Sequence, residues 1–264
     1  MVDEPVILRT RRLGKRFGGF HALNNFDLDV QRGHIHAVIG PNGAGKTTLF
    51  NLISGVLPAD VGEIECDGRP IGRLRANRRT ELGVARTFQN IRLFGHMSTL
   101  ETVMVGGHGR AYPSLAQALA DCAFHRPFGA AAREHAMRSE AIDTLAFVGL
   151  AARQDAPATD LSYGERRLLE IARALSTRPK VLLLDEPAAG MNPRETEALD
   201  ELIGRIRARG VTIVLVEHDM NLVMGISDRV TVLNFGEKIA EGRPAEIQVN
   251  PAVVEAYLGG EEEL

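Results

Sequence analysis

Apolar residues fall along the chain in two rhythms. Unbroken runs rich in Val, Ile and Leu occur at 5–10 (PVILRT), 34–40 (HIHAVIG), 181–187 (VLLLDEP), 212–218 (TIVLVEH) and 229–236 (RVTVLNFG), each bounded by turn-forming residues. Runs of this length and composition predict strands. Those at 34, 181 and 212 do not alternate with polar residues, which predicts strands buried on both faces of a mainly parallel sheet with helices packed over it. Each of these three is followed by apolar positions at helical spacing, over 46–55, 193–209 and 219–226. Asn192-Pro193 opens the second helix with Pro at its first position and acids in its first turn, and Gly210 closes it.

The rhythm changes between 95 and 178. Strand-like runs give way to Ala-rich segments bearing Arg and Glu, such as AAAREHAMRSEAIDTLAFVGL at 130–150. This predicts a helical subdomain, 95–178, inserted into an α/β body made of 1–94 and 179–264. The prolines of AYPSL and HRPFG predict breaks between its helices. PAVVEAYLG predicts a short amphipathic helix near the C-terminus, and Glu261–Glu263 a solvated tail.

Composition adds exclusions rather than identity. A chain of 264 residues with 44% hydrophobic and 25% charged residues can bury a full core in one or two domains and is neither disordered nor a membrane bundle. A net charge of -3 with both signs interspersed leaves no basic footprint, so no nucleic-acid partner is expected. Cys66 and Cys122 lie in no metal or redox spacing, and structural roles are expected for both. The N-terminus lacks a signal-peptide core and no run reaches about 18 apolar residues, so a cytoplasmic protein is expected.

The chemistry concentrates in a few segments. Gly40, Pro41, Asn42, Gly43, Ala44, Gly45, Lys46 and Thr47 fit GxxxxGK[ST] between a predicted strand and a predicted helix, and Thr48 follows. In that context the glycines turn backbone N–H groups toward phosphate, Lys46 reaches the β- and γ-phosphates, and the Thr47 hydroxyl can ligate Mg²⁺. A nucleoside triphosphate is the expected ligand. VLLLDEP carries two carboxylates to the C-terminal edge of the sheet, where open α/β folds bind ligands. Asp185 is the natural acid on the Mg²⁺ side, and Glu186, pointing differently, is free to polarise an attacking water. LSYGERRLLEIARAL at 161–175 reads as a second anion-attracting helix start, although local sequence fits an ordinary capped helix as well. Gln89 and His218 alone decide nothing.

In their order along the chain, GPNGAGKTT, TFQN, LSYGE, VLLLDEP and VEH resemble the landmarks of the ATP-binding cassette (ABC) ATPases, and the resemblance runs from about residue 6 to 260. It implies a P-loop NTPase fold of class α/β, with a mainly parallel sheet core, an N-terminal antiparallel β region and the inserted helical subdomain. It places Phe17 against adenine, Gln89 at the loop that senses Mg²⁺ and the membrane partner, Glu186 as catalytic base and His218 as switch histidine. It makes 161–165 the signature motif, whose Ser162 and Gly164 serve the nucleotide of an opposite subunit. Catalytic roles thus fall to Glu186, His218 and Gln89, and metal roles to Thr47, Gln89 and Asp185. Tyr163 and Glu165 stand where the family has Gly and Gln, and Asn192 where it has Asp.

FGGFHALNNFDLDV, the insert at 111–135, DEPAAGMNP, VEHDMNLVMGISDRV and VEAYLGGE further resemble the ATPases of bacterial branched-chain amino acid importers, specifically the longer of the two that pair in such systems. The resemblance implies MgATP hydrolysis on the cytoplasmic face of the membrane, a second ATPase, permease subunits and, through them, a periplasmic binding protein. Relatives of this architecture also import urea, amides or aromatic acids, and the lipopolysaccharide-export ATPase shares the closing YLG but lacks the long insert. A soluble cassette acting on nucleic acid or ribosomes is the alternative outside transport.

Overall fold

The computed structural model describes residues 5–88, 96–111 and 127–258. The chain forms two compact units, Met1–Gln89 with Lys180–Leu264, and Asn90–Pro179.

The first unit holds two sheets. Its antiparallel sheet comprises β1 (Val6–Phe17), β2 (Phe20–Gln31), β4 (Val61–Cys66) and β5 (Arg69–Pro70), in the order β2-β1-β4-β5. The six-stranded sheet comprises β3 (Ile35–Ile39), β6 (Val84–Arg86), β7 (Val181–Asp185), β8 (Thr212–Val216), β9 (Arg229–Asn234) and β10 (Glu237–Gly242), ordered β10-β9-β3-β8-β7-β6. All neighbours are parallel except β10 on β9. Every residue of β3, β7 and β8 is buried, which is why their sequences show no alternation. In β2, by contrast, Phe26, Leu28 and Val30 are buried while Asp27 and Asp29 between them are more exposed. Across the strand pair, Arg9 and Arg11 both bond Asp29. One apolar cluster unites the inner faces of both sheets with the helix Lys46–Ser54, through Leu8, Phe26, Phe50, Leu183 and Val214 among others.

That helix ends on an uncommon cap. Arg79 is buried with no acid beside it among the described residues, and its guanidinium donates to the carbonyls of Leu52, Ile53, Gly72 and Leu74. The final carbonyls of a helix carry its negative dipole end, so a buried cation there satisfies both the orphan acceptors and its own charge.

The second unit packs three helices, Thr99–Ala111, Pro127–Val148 and Tyr163–Leu175, on one another. Leu100, Val103, Leu145 and Leu169 are among its buried residues. Apart from an isolated bridge between Ser98 and Pro157, its described residues contain no strand. Pro127 begins a helix; Pro113 and Cys122 lie outside the described residues.

Candidate functional site

β3 delivers the chain into the loop 40–45, which turns into the helix Lys46–Ser54. The turn needs glycine twice over. Gly40 and Gly45 have φ of 153° and 108°, and a Cβ on them would strike the carbonyl oxygens of Leu233 and Ala22. The loop is also braced from the β9–β10 turn, where Gly236 N–H donates to Ala44 O at 2.9 Å. Asn42, Gly43 and Thr47 are exposed, Pro41 and Thr48 half-buried, and Ala44 buried. No acid occupies the first turn of the helix, so its positive end is uncompensated by a side chain. Lys46 is buried, and its Nζ donates to the carbonyls of Gly40 (2.6 Å) and Pro41 (2.9 Å). Burial pulls its pKa below the usual lysine value, and the nearby charges of Glu186 and Asp185 pull it partly back.

Phe17 lies at the tip of the β1–β2 hairpin, directly paired with Phe20, and both rings are about half exposed. From this tip β2 runs to Ala22, whose carbonyl abuts Gly45. The hairpin and the phosphate loop are therefore built against each other.

At the C-terminal end of β7, Asp185 is almost fully buried. Its Oδ2 accepts from Arg86 Nη2 at 2.8 Å, while Oδ1 has no hydrogen-bond partner among the described residues. Glu186 follows at φ 47°, a left-handed backbone held by its own N–H donating to Val216 O at 2.8 Å. Its carboxylate, expected to stand free, instead accepts from His218 Nε2 at 2.9 Å. The side chain remains 14% exposed, so solvent still reaches it. Parallel pairing of β7 with β8, Asp185 beside Val216, brings these two strand ends together across 32 residues of sequence.

Sequence reasoning passed over two members of this cluster. Arg86 reads as an ordinary charged strand end. Glu217 sits inside VEH, and only the burial of β8 around it could have marked it: its Oε1 accepts from Ala188 N–H (2.7 Å) and Oε2 from His218 N–H (3.0 Å). Burial raises its pKa above the usual carboxylate value. Glu217 thus ties the loop after Glu186 to the residue that touches Glu186. Gln89 lies outside the described residues.

In the second unit, Ser162 caps the helix Tyr163–Leu175 in a capping box. Its Oγ accepts from Glu165 N–H at 3.2 Å, which leaves the hydroxyl proton available to another acceptor. Glu165 returns a bond to Ser162 N–H (2.8 Å) and takes Arg153 Nε (3.0 Å). The Ser162 N–H foremost, with Arg153, lowers the Glu165 pKa. Ser162 is exposed, whereas Gly164 is buried in the first turn. Tyr163 projects from the helix start and its hydroxyl accepts from Arg167 Nη2 at 3.2 Å.

Among the described residues no three His, Cys, Asp or Glu side chains gather as a metal cage, and no helix is long and apolar enough to cross a membrane. A nucleotide-bound Mg²⁺ needs no such cage, since phosphates and water supply most of its ligands. The buried, unpartnered Asp185 Oδ1 fits the protein side of such an ion.

Residues 23–189 match the ABC transporter family, and residues 237–263, covering β10 and the last two helices, match the branched-chain amino acid ATP-binding cassette transporter family. The high-affinity branched-chain amino acid transport ATP-binding protein LivG of Salmonella typhimurium is 44% identical over 259 residues, 96% of this chain and 98% of that protein. The corresponding protein BraF of Pseudomonas aeruginosa is 43% identical over 254 residues, again 96% of this chain and 98% of its own length. The crystal structure of a nucleotide-free ATP-binding cassette from an ABC transporter superimposes with a TM-score of 0.82 at 33% identity, covering 96% of this chain and 99% of that one. With the phosphate loop, the strand-end acids and these likenesses in agreement, the chain belongs to the ABC transporter family, as one of its ATP-binding cassettes.

Proposed function

We propose that this protein hydrolyses ATP, with Mg²⁺, to drive uptake of branched-chain amino acids through a bacterial membrane importer. The observation that carries the reading is the convergence of Lys46, Asp185, Glu186 and His218 at the ends of adjacent strands, with Glu186 and His218 2.9 Å apart. The choice of solute draws on the names of the relatives and on the C-terminal family match.

In this reading the loop 40–48 wraps the phosphates with its N–H groups, and Phe17 lies under the base. Lys46 exchanges its loop carbonyls for β- and γ-phosphate oxygens. Thr47, Asp185 and Gln89 would hold a Mg²⁺, which when bound would neutralise charge on those oxygens. Glu186 accepts a proton from a water aligned behind the γ-phosphate, and His218, whose Nε2–H aims the carboxylate before nucleotide binds, turns that N–H to a phosphoryl oxygen once the nucleotide is in place. Gln89 orients the water.

Ser162 and Gly164 face the γ-phosphate of a second cassette, so that two chains close head to tail around two nucleotides. The spare Ser162 proton supports this, because it can be given to a phosphate oxygen without breaking the helix cap. Closure depends on a phosphate that hydrolysis removes, which couples chemistry to motion. The remaining partners are permease subunits and, through them, a periplasmic binding protein, with the cassette on the cytoplasmic face.

Cells carrying only Glu186→Gln should lose uptake of radiolabelled leucine, isoleucine and valine while urea uptake is unchanged. Unchanged leucine uptake would refute the reading.

A further inference from the structure

Arg86, which lies outside the motifs, ties several parts of the site together. Nη2 donates to Asp185 Oδ2 at 2.8 Å, and Nη1 donates to Asn51 Oδ1 at 2.7 Å and Ser54 Oγ at 3.1 Å, both on the helix that begins at the phosphate loop. The guanidinium lies over the rings of Phe50 and Phe88, 5.6 and 5.0 Å from their centroids. The Arg86 and Asp185 side chains are 5% and 2% exposed. A planar fork held at one tine by a helix and on its faces by two rings has little freedom left to reorient. It therefore dictates which carboxylate oxygen of Asp185 it takes. The other, Oδ1, is buried without a partner among the described residues.

We propose that Arg86 is a positioning residue for the nucleotide-bound divalent cation: by clamping Asp185 Oδ2 from the phosphate-loop helix, it presents Oδ1 to the metal. This rests on the reading of Asp185 as the acid on the metal side. The clamp spans three elements, β6, β7 and the helix Lys46–Ser54, and adjoins Thr87, whose Oγ1 accepts from Asp185 N–H at 3.4 Å. The segment leading to Gln89 is thus joined to the metal acid through two consecutive residues. A lysine at position 86 keeps the charge but has one ammonium where the arginine has a fork, and it cannot serve Asp185 and the Asn51–Ser54 pair in the same geometry.

The test is Mn²⁺ binding to the full chain in the presence of ADP, read by the electron paramagnetic resonance signal of free Mn²⁺, beside metal-free ADP binding by calorimetry. Asp185→Asn should weaken Mn²⁺ binding at least tenfold. Arg86→Lys should weaken it about tenfold while metal-free ADP affinity stays within twofold of wild type, and kcat should fall with little change in KM for ATP. Asn51→Ala with Ser54→Ala, which leaves the ion pair but removes its anchor, asks the same question of a variant with no buried charge exposed, and a smaller loss of the same kind is expected. If Asp185→Asn impairs Mn²⁺ binding and both Arg86→Lys and the anchor variant bind it like wild type, the clamp is refuted and the metal acid stands. If Asp185→Asn itself binds Mn²⁺ like wild type, the underlying reading falls and takes the clamp with it.

Discussion

At Glu186 the backbone sits at φ 47°, a region that disfavours a side chain by roughly 1–2 kcal/mol. The amide bond to Val216 O and the carboxylate bond to His218 Nε2 help to hold it there. The strain raises the carboxylate off the line of β7, so that consecutive acids serve different tasks: Asp185 faces inward to Arg86 and Glu186 outward to solvent and His218. Glu186→Gln preserves shape and removes the proposed proton acceptor. It should bind ATP with near-normal affinity and lose about 10²-fold or more of its hydrolysis rate, the usual worth of a general base. Filter binding and phosphate release measured on one preparation check both halves. That Asp185 and Glu186 stand at the C-terminal edge of the sheet was legible in their position after an unbroken apolar run. The bond from Glu186 to His218 was not, because it depends on the register of β7 against β8. Arg86 and Glu217 were illegible for a related reason: nothing local says that a strand-end charge is buried with a partner about 100 or 29 residues away.

Among the elements, those with their stop and start signals written locally were readable. The helix Pro193–Ala208 has Asn192 as cap, Glu195 closing its capping box, and Gly210 just beyond at φ 84°, all within its own few residues. The unbroken apolar runs likewise mark β3, β7 and β8. β6 is only three residues long and β10 has one buried residue in its first four, so neither carries enough pattern to be seen. β1 extends to Phe17, well beyond the apolar stretch that announces it, because pairing with both β2 and β4 sustains it through Arg and Lys positions. Arg167 and Glu170, whose burial no local pattern announces, are buried together within the helix Tyr163–Leu175 at 3.3 Å.

The start of that helix separates a cap from a phosphate contact. Ser162→Ala removes the acceptor of Glu165 N–H and should cost about 1 kcal/mol of stability. A cap alone would leave hydrolysis nearly intact at temperatures where the protein is folded. The proposed role predicts a loss of hydrolysis far beyond that, with thermal denaturation and ATPase assays read side by side. Glu165 brings a negative charge to the same place, partly balanced by Arg153. Glu165→Gln keeps the capping geometry and removes the charge, so it should lower the ATP concentration needed for association of two chains, measured by light scattering.

For the whole molecule, one buried group contributes to the upper part of the acid limb of stability. His36, on β3, is packed inside the sheet with Nε2 against Thr231 Oγ1 at 2.8 Å, and burial pulls its pKa from 6.5 down to about 4. The folded state therefore favours the neutral ring. Its contribution is complete above pH 6.5, the unfolded value, and is lost as pH falls toward 4, where the unfolded chain has already taken up the proton. Urea denaturation should show stability declining across that window by an amount on the order of 3 kcal/mol, and His36→Leu should flatten the decline. A decline of unchanged steepness in His36→Leu would assign it to other groups.

The same scale holds the central claim, that one chain carries only part of each hydrolytic site and a second chain completes it. The most direct measurement is ATPase activity per mole of cassette as the protein is diluted, alone and with its companion ATPase, through the range in which dimers separate by analytical ultracentrifugation. The account predicts that specific activity falls toward zero as dimers disappear and returns on concentration. Constant specific activity in a solution of monomers would contradict it.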